Sequence, residues 1–190
     1  MKNLMLISYL DLKESIRAKW FLVYSLVFGG LIALFFIAGV TESQVMGFSG
    51  FSRLLLMYIQ ITIVILPIFI LVTTVRSISG DRDSHVLEYM LSFPISLTQY
   101  YWGKIIGRFI TVYLPVLFAM VIAIVYGSFK GASIPWDIFF LYTGLLFAMS
   151  SAFLGIAFFV SSFVKSSEVA LGLAFFVWLL LLASIDIALI

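Results

Sequence analysis

"LLLMYIQITIVILPIFILVTTV", residues 54–75, runs without a charged side chain and contains one amide, Gln60. An α-helix needs about 20 apolar residues to cross roughly 30 Å of hydrocarbon, so this segment is predicted to span a membrane. "WFLVYSLVFGGLIALFFIAGV", residues 20–40, is its equal, and similar apolar runs occupy 105–127, 138–162 and 169–190. The composition agrees: 64% of residues are hydrophobic, 17% aromatic and only 11% charged, a surface that water does not tolerate. The expected fold is an all-α integral membrane protein forming one domain over 1–190, with five transmembrane helices. Residues 1–19 precede them as an amphipathic elbow helix, because Met5, Tyr9, Leu12 and Ile16 recur at helical spacing.

The first apolar run is full-length and lacks a small-residue cleavage site, so it is expected to be retained as a helix rather than removed as a signal peptide. There are no cysteines, hence no disulfide framework and no thiolate metal site. Of the eleven lysines and arginines, nine (Lys2, Lys13, Arg17, Lys19, Arg76, Arg82, Lys104, Arg108 and Lys165) fall on one side if the N-terminus is cytoplasmic. The positive-inside rule therefore predicts a multi-pass protein of the cell's inner membrane with a cytoplasmic N-terminus.

Chemistry is sparse in the spans. Beyond Gln60 they hold a few hydroxyls and one acid, Asp186, expected to cap the last helix at the outer interface. Gln60, Thr62, Thr111 and Ser151 are the residues expected to line a translocation path, if there is one. His85 is the only histidine, and no serine has a base near it in sequence, which argues against catalysis. No G-x-x-x-x-G-K pattern is present, so this chain is not expected to bind ATP in that manner, or to need a metal or cofactor of its own. On α-helix four of the spans, Gly144, Ala148 and Ala152 repeat at intervals that suit close helix packing, within the chain or between copies.

Polarity concentrates in "GDRDSHVLEYMLSFPIS", residues 80–96, between the second and third spans. Ser79-Gly80 is predicted to break the chain, with Asp81 and Asp83 opening a short helix that Pro94 closes. Ser96 and Gln99 then form a capping box for the next helix. Tyr100, Tyr101 and Trp102 make an interfacial belt, and Lys104 with Arg108 is expected to snorkel toward lipid phosphates.

This pattern resembles the permease subunits of ABC-2 type transporters. The likeness rests on Gly80, Leu87-Glu88, Leu91, Ser92, Pro94-Ile95-Ser96, Gly103-Lys104 and Gly107, and on the order of elbow helix, two spans, connection and further spans. The subgroup it is similar to includes the permease for nitrous oxide reductase maturation. By that resemblance 80–96 is a cytoplasmic coupling segment that docks on a separate ABC ATP-binding subunit, with His85, Leu87, Glu88, Leu91 and Pro94 at the contact. ATP and Mg would be held by that partner. A permease homodimer in membrane lipid is implied, and no nucleic acid partner. The family usually has six spans, so a sixth is expected to be missing from this sequence. The alternative reading is a membrane anchor or assembly factor that recruits a soluble partner without transport.

Overall fold

The computed structural model describes residues 2–39, 50–164 and 166–188, with side chains from Asn3 to Leu181. The described residues are helical almost throughout: α1 (Lys2–Arg17), α2 (Trp20–Ile37), α3 (Phe51–Thr74), α4 (Arg76–Asp83), α5 (Val86–Leu91), α6 (Leu97–Phe129), α7 (Trp136–Phe163) and α8 (Ser167–Ala188). Among them, the helices starting at Trp20, Phe51, Leu97 and Trp136 are long and apolar enough to cross a membrane, which makes this a multi-pass membrane protein. The expected fifth span corresponds to α8, whose 22 residues reach about 33 Å at roughly 1.5 Å each. The side chains of 182–188, Asp186 among them, lie outside the described residues, as do the loop residues 40–49 and Lys165.

Hydrocarbon, not water, explains which faces are buried. α2 is apolar all round and buries only Tyr24, Phe28 and Ile32, one stripe at four-residue spacing, leaving Leu22, Leu26 and Leu34 outward. The core is filled from α3 and α6 by Leu54, Tyr58, Leu66, Ile70, Val116 and Met120, and closed by Leu154 and Phe158 of α7. α6 is the central element, with α1 and α2 on one flank and α7 on another, while α3 packs on α7 and α8. The Tyr24 hydroxyl and Thr73 Oγ1 meet at 2.9 Å at one end of the bundle, and Phe51 abuts Gly127 at the other. Hydroxyls within the spans mostly bond to the carbonyl one turn back, as Ser25, Thr73, Thr143 and Ser162 do, so that they need no partner in lipid.

The elbow helix forms where the period puts it, but it faces the opposite way to a helix resting on a water surface. Ile7, Ser8, Asp11 and Ser15 are buried against the protein, while Met5, Leu6, Tyr9 and Ile16 point outward. The small polar stripe packs on α6 because Gly103 and Gly107 let the two backbones approach. A Cβ at Gly103 would lie 2.7 Å from Ile7 Cβ, and one at Gly107 would lie 2.9 Å from both Asp11 Cβ and Ser8 O. Ser8 Oγ completes the seam by donating to the Gly103 carbonyl at 2.9 Å. By contrast the Gly144, Ala148 and Ala152 face of α7 is exposed, with nothing within 4 Å of a Cβ at Gly144, so it packs on no helix among the described residues.

Candidate functional site

The connection between α3 and α6 is a knob with a clamped base and a free tip. The base is α4. Ser79 and Gly80 do not break the chain as their residue types suggest; both lie inside α4, which continues α3 after a single turn residue at Val75. The fresh N-terminus so created leaves backbone N–H groups without a carbonyl one turn back. Ser161 Oγ of α7 supplies the acceptor, taking both Ile78 N–H and Ser79 N–H at 3.0 Å, and is itself fully buried. In return Arg82 donates from both terminal nitrogens to the Ser162 carbonyl at 3.4 Å, where α7 is running out of internal donors.

On its other side α4 is tied to α6 and α1 by buried charge. Asp81 does not act as a helix-opening carboxylate. It pairs with Lys104 and accepts from the Tyr100 hydroxyl. Lys104 also donates to the Ser77 carbonyl at 3.0 Å and lies 3.9 Å from Asp11 of the elbow helix. Asp11 in turn faces Arg108 Nε at 3.2 Å. Lys104 and Arg108 therefore do not snorkel to lipid phosphates; both are over nine-tenths buried, because two carboxylates from other helices neutralise them inside the protein. Burial raises the Asp11 carboxyl above the usual aspartate range, and the attraction of Arg108 and Lys104 pulls it part of the way back. Two cations, two carboxylates and a phenol thus join α1, α4 and α6 at one point.

The tip is α5. The single helix expected over 81–93 is split at Ser84-His85, where His85 takes a left-handed backbone, φ 59°, before Val86–Leu91 resume. That conformation is uncommon for a side-chain-bearing residue but better tolerated by histidine than by branched ones. His85 Nδ1 contacts Glu88 Oε2 at 2.5 Å on the exposed surface. No residue of α5 is buried. Of the residues expected at a partner contact, His85, Glu88, Leu91 and Pro94 are exposed and Leu87 is half-buried; Val86, Tyr89 and Phe93 are exposed beside them. Pro94 also accepts a hydrogen bond from Asn3 Nδ2 at 3.3 Å, which ties the elbow's first turn to the knob. The expected capping box is formed: Gln99 N–H donates to Ser96 Oγ at 3.2 Å and Ser96 N–H to Gln99 Oε1 at 3.3 Å.

The four path residues separate into two pairs. Thr62 and Thr111 are buried in the bundle, with Thr111 donating to the Gly107 carbonyl at 3.0 Å. Gln60 and Ser151 are exposed on its surface, Ser151 donating to the Phe147 carbonyl at 2.8 Å.

Comparison with known proteins places these features in a family. Residues 5–190 match the family described as ABC-2 family transporter protein. The chain is 25% identical over 185 residues to a probable ABC transporter permease protein, NosY, of Stutzerimonas stutzeri. It is 23% identical to the protein of the same description from Pseudomonas aeruginosa, again over 185 residues. In both cases 95% of this chain is covered, and it spans 67% of the relative's length. With a match that runs through nearly all of its residues, the chain belongs to the ABC-2 family of transporter proteins, as a membrane permease subunit of an ABC transporter.

Proposed function

We propose that the chain moves a substrate across the inner membrane using ATP hydrolysed on a separate cytoplasmic subunit, and that α5 is the element this subunit grips. The observation that carries this is the contrast within 76–96: α4 is fastened to α1, α6 and α7, while α5 has no buried residue and holds apolar side chains clear of the bundle. Ordinary loop structure does not need Val86, Tyr89 and Leu91 of α5 exposed together with Phe93 just after it, whereas a docking groove accepts them as anchors. The partner would carry ATP and Mg, and this chain no cofactor. When its nucleotide domains close, force on α5 passes through α4 into α6 at Lys104, into α7 at Ser161 and into the elbow helix at Asp11. The N-terminus lies on the cytoplasmic side, and two copies form the path in lipid, the exposed small-residue face of α7 offering a surface for close approach.

The test is recovery of an ATP-binding protein carrying G-x-x-x-x-G-K-[ST] from native membranes, comparing wild type with Leu87→Ala plus Glu88→Ala. The pair should abolish its recovery without lowering the permease's own abundance; equal recovery from the variant would move the contact away from α5. One observation favours the anchor reading, namely that two of the four path residues, Gln60 and Ser151, lie exposed while the other two, Thr62 and Thr111, are buried in the bundle. A partner ATPase that couples to no vectorial movement of any solute in sealed vesicles would select it.

A further inference from the structure

At the α5 end of the bundle, the elbow helix, α4 and the last turn of α3 enclose a cavity of about 330 Å³. Its walls include Glu14, Ser15, Arg76, Ser77, Asp81 and Arg108. Two of its charges are already matched, Arg108 by Asp11 and Asp81 by Lys104. The other two, the exposed Glu14 carboxylate and the exposed Arg76 guanidinium, form no ion pair among the described residues. Ser15 and Ser77 are also among its lining residues; both are at least 97% buried, and neither hydroxyl has a hydrogen-bond partner in the protein. Buried hydroxyls without partners are uncommon in a finished core and point to an occupant. The space therefore presents one free anionic group and one free cationic group, with two uncommitted hydroxyls buried in its walls.

The cavity leads into an apolar groove. Val72 and Leu171 line both, and from them the groove follows α3 and α8 toward the middle of the bundle along Ile68, Leu71, Ala174 and Trp178. From Leu171 to Trp178 is about 10 Å of helix at roughly 1.5 Å per residue, most of one leaflet's hydrocarbon depth of about 15 Å. A polar chamber at the level of the Trp20 ring, continued by a shallow apolar groove of about 20 Å³ against whose surface a chain would lie, follows the polar-to-apolar order of a single amphiphile.

We infer that this is a site for one zwitterionic glycerophospholipid with an amine headgroup, its phosphate on Arg76, its ammonium on Glu14 and an acyl chain along the α3–α8 groove. Arginine suits the phosphate because its planar donors match two oxygens at once. The matching carboxylate sets the specificity, since an anionic headgroup without an amine would leave Glu14 facing like charge. The bound lipid would join α1, α3 and α8 where the charge cluster joins α1, α4 and α6. The inference does not rest on docking at α5 or on transport.

Native mass spectrometry of the delipidated full chain, titrated with dioleoyl phosphatidylethanolamine or dioleoyl phosphatidylglycerol, tests it. One phosphatidylethanolamine per chain should bind at least tenfold more tightly than phosphatidylglycerol. Glu14→Gln should remove that preference, Arg76→Gln should weaken both lipids, and Val72→Trp, at an exposed position, should block the groove and weaken both tenfold. Melting temperatures of the lipid-free variants, all at surface positions, should match wild type. Equal affinity for the two lipids, a preference that survives Glu14→Gln, or displacement of the lipid by free phosphoethanolamine at the same concentration would each overturn it, the last because the groove would then contribute nothing.

Discussion

Replacing Lys104 with methionine tests whether the cluster joining α1, α4 and α6 is held by charge. The substitution keeps most of the side-chain volume, so a cavity is not the main effect. What it removes is a buried ammonium that sits against Asp81, bonds the Ser77 carbonyl at 3.0 Å and lies 3.9 Å from Asp11. At 3.9 Å and an effective dielectric of about 20, the Asp11 attraction alone is about 4 kcal/mol before desolvation is counted. The variant leaves one buried carboxylate, Asp11, and one half-buried, Asp81, facing one cation, Arg108, and breaking such an arrangement typically costs about 3–5 kcal/mol. At about 2–4 °C per kcal/mol for a chain of this size, melting should fall by roughly 6–20 °C. Heating the detergent-solubilised protein and following its monodisperse fraction by size exclusion measures this. The double variant Lys104→Met plus Asp81→Asn restores the balance of formal charge and should recover more than half of the loss. A single variant that melts with wild type, or a double variant as unstable as the sum of its parts, would refute the electrostatic account.

Two further outcomes follow from the elbow seam. Gly103→Ala should destabilise by about 1–3 kcal/mol, since its Cβ would press on Ile7 at 2.7 Å, whereas Gly144→Ala, with open space around it, should be neutral or slightly stabilising in the same melting assay. The raised carboxyl of Asp11 gives a pH signature: the native state holds that proton more tightly than the unfolded chain. Its stabilising contribution is complete below the ordinary aspartate value of 3.8 and is lost as pH rises through the raised value. The melting temperature of wild type relative to Asp11→Asn should therefore rise between pH 7 and pH 4.5, and a difference that stays constant or falls would contradict the shift.

The spans were legible because hydrocarbon imposes a length and a composition that few other environments do, and the Ser96–Gln99 box was legible because it is local. Three readings failed where the deciding partner was distant. Gly80 and Asp81 looked like a break and a helix start, but α4 is held by Ser161, more than eighty positions away, and Asp81 is claimed by Lys104. Lys104 and Arg108 looked like phosphate-seeking side chains because Asp11, their counter-charge, lies over ninety residues upstream. The elbow helix had the correct period, but that period did not tell that its small polar stripe packs on α6, because the glycines that receive it lie over ninety residues away. A usable signal was present in both segments: small polar residues at 8, 11 and 15, and glycines at 103 and 107 interleaved with cations at 104 and 108, are two complementary faces.

If α5 is gripped as proposed, that complementarity also accounts for how so apolar a chain would transmit force. Helices in lipid gain little from burying more leucine against leucine, since the tails are equally apolar, so a joint that must stay registered while its neighbours tilt needs close backbone contact and specific polar pairs. Among the described residues, the chain gathers such contacts at the α5 end. Gly103 and Gly107 set the distance between α1 and α6, the Asp11, Lys104, Arg108 and Asp81 cluster sets their register with α4, and Ser161 fixes α4 to α7. Farther along, the core is mainly leucine, isoleucine and phenylalanine, surfaces that slide past one another at modest cost. A displacement of α5 would therefore move the ends of α1, α4, α6 and α7 as one body and be taken up as tilt in the apolar part of the bundle, where Pro67 and Pro115 already interrupt the hydrogen-bond ladders of α3 and α6.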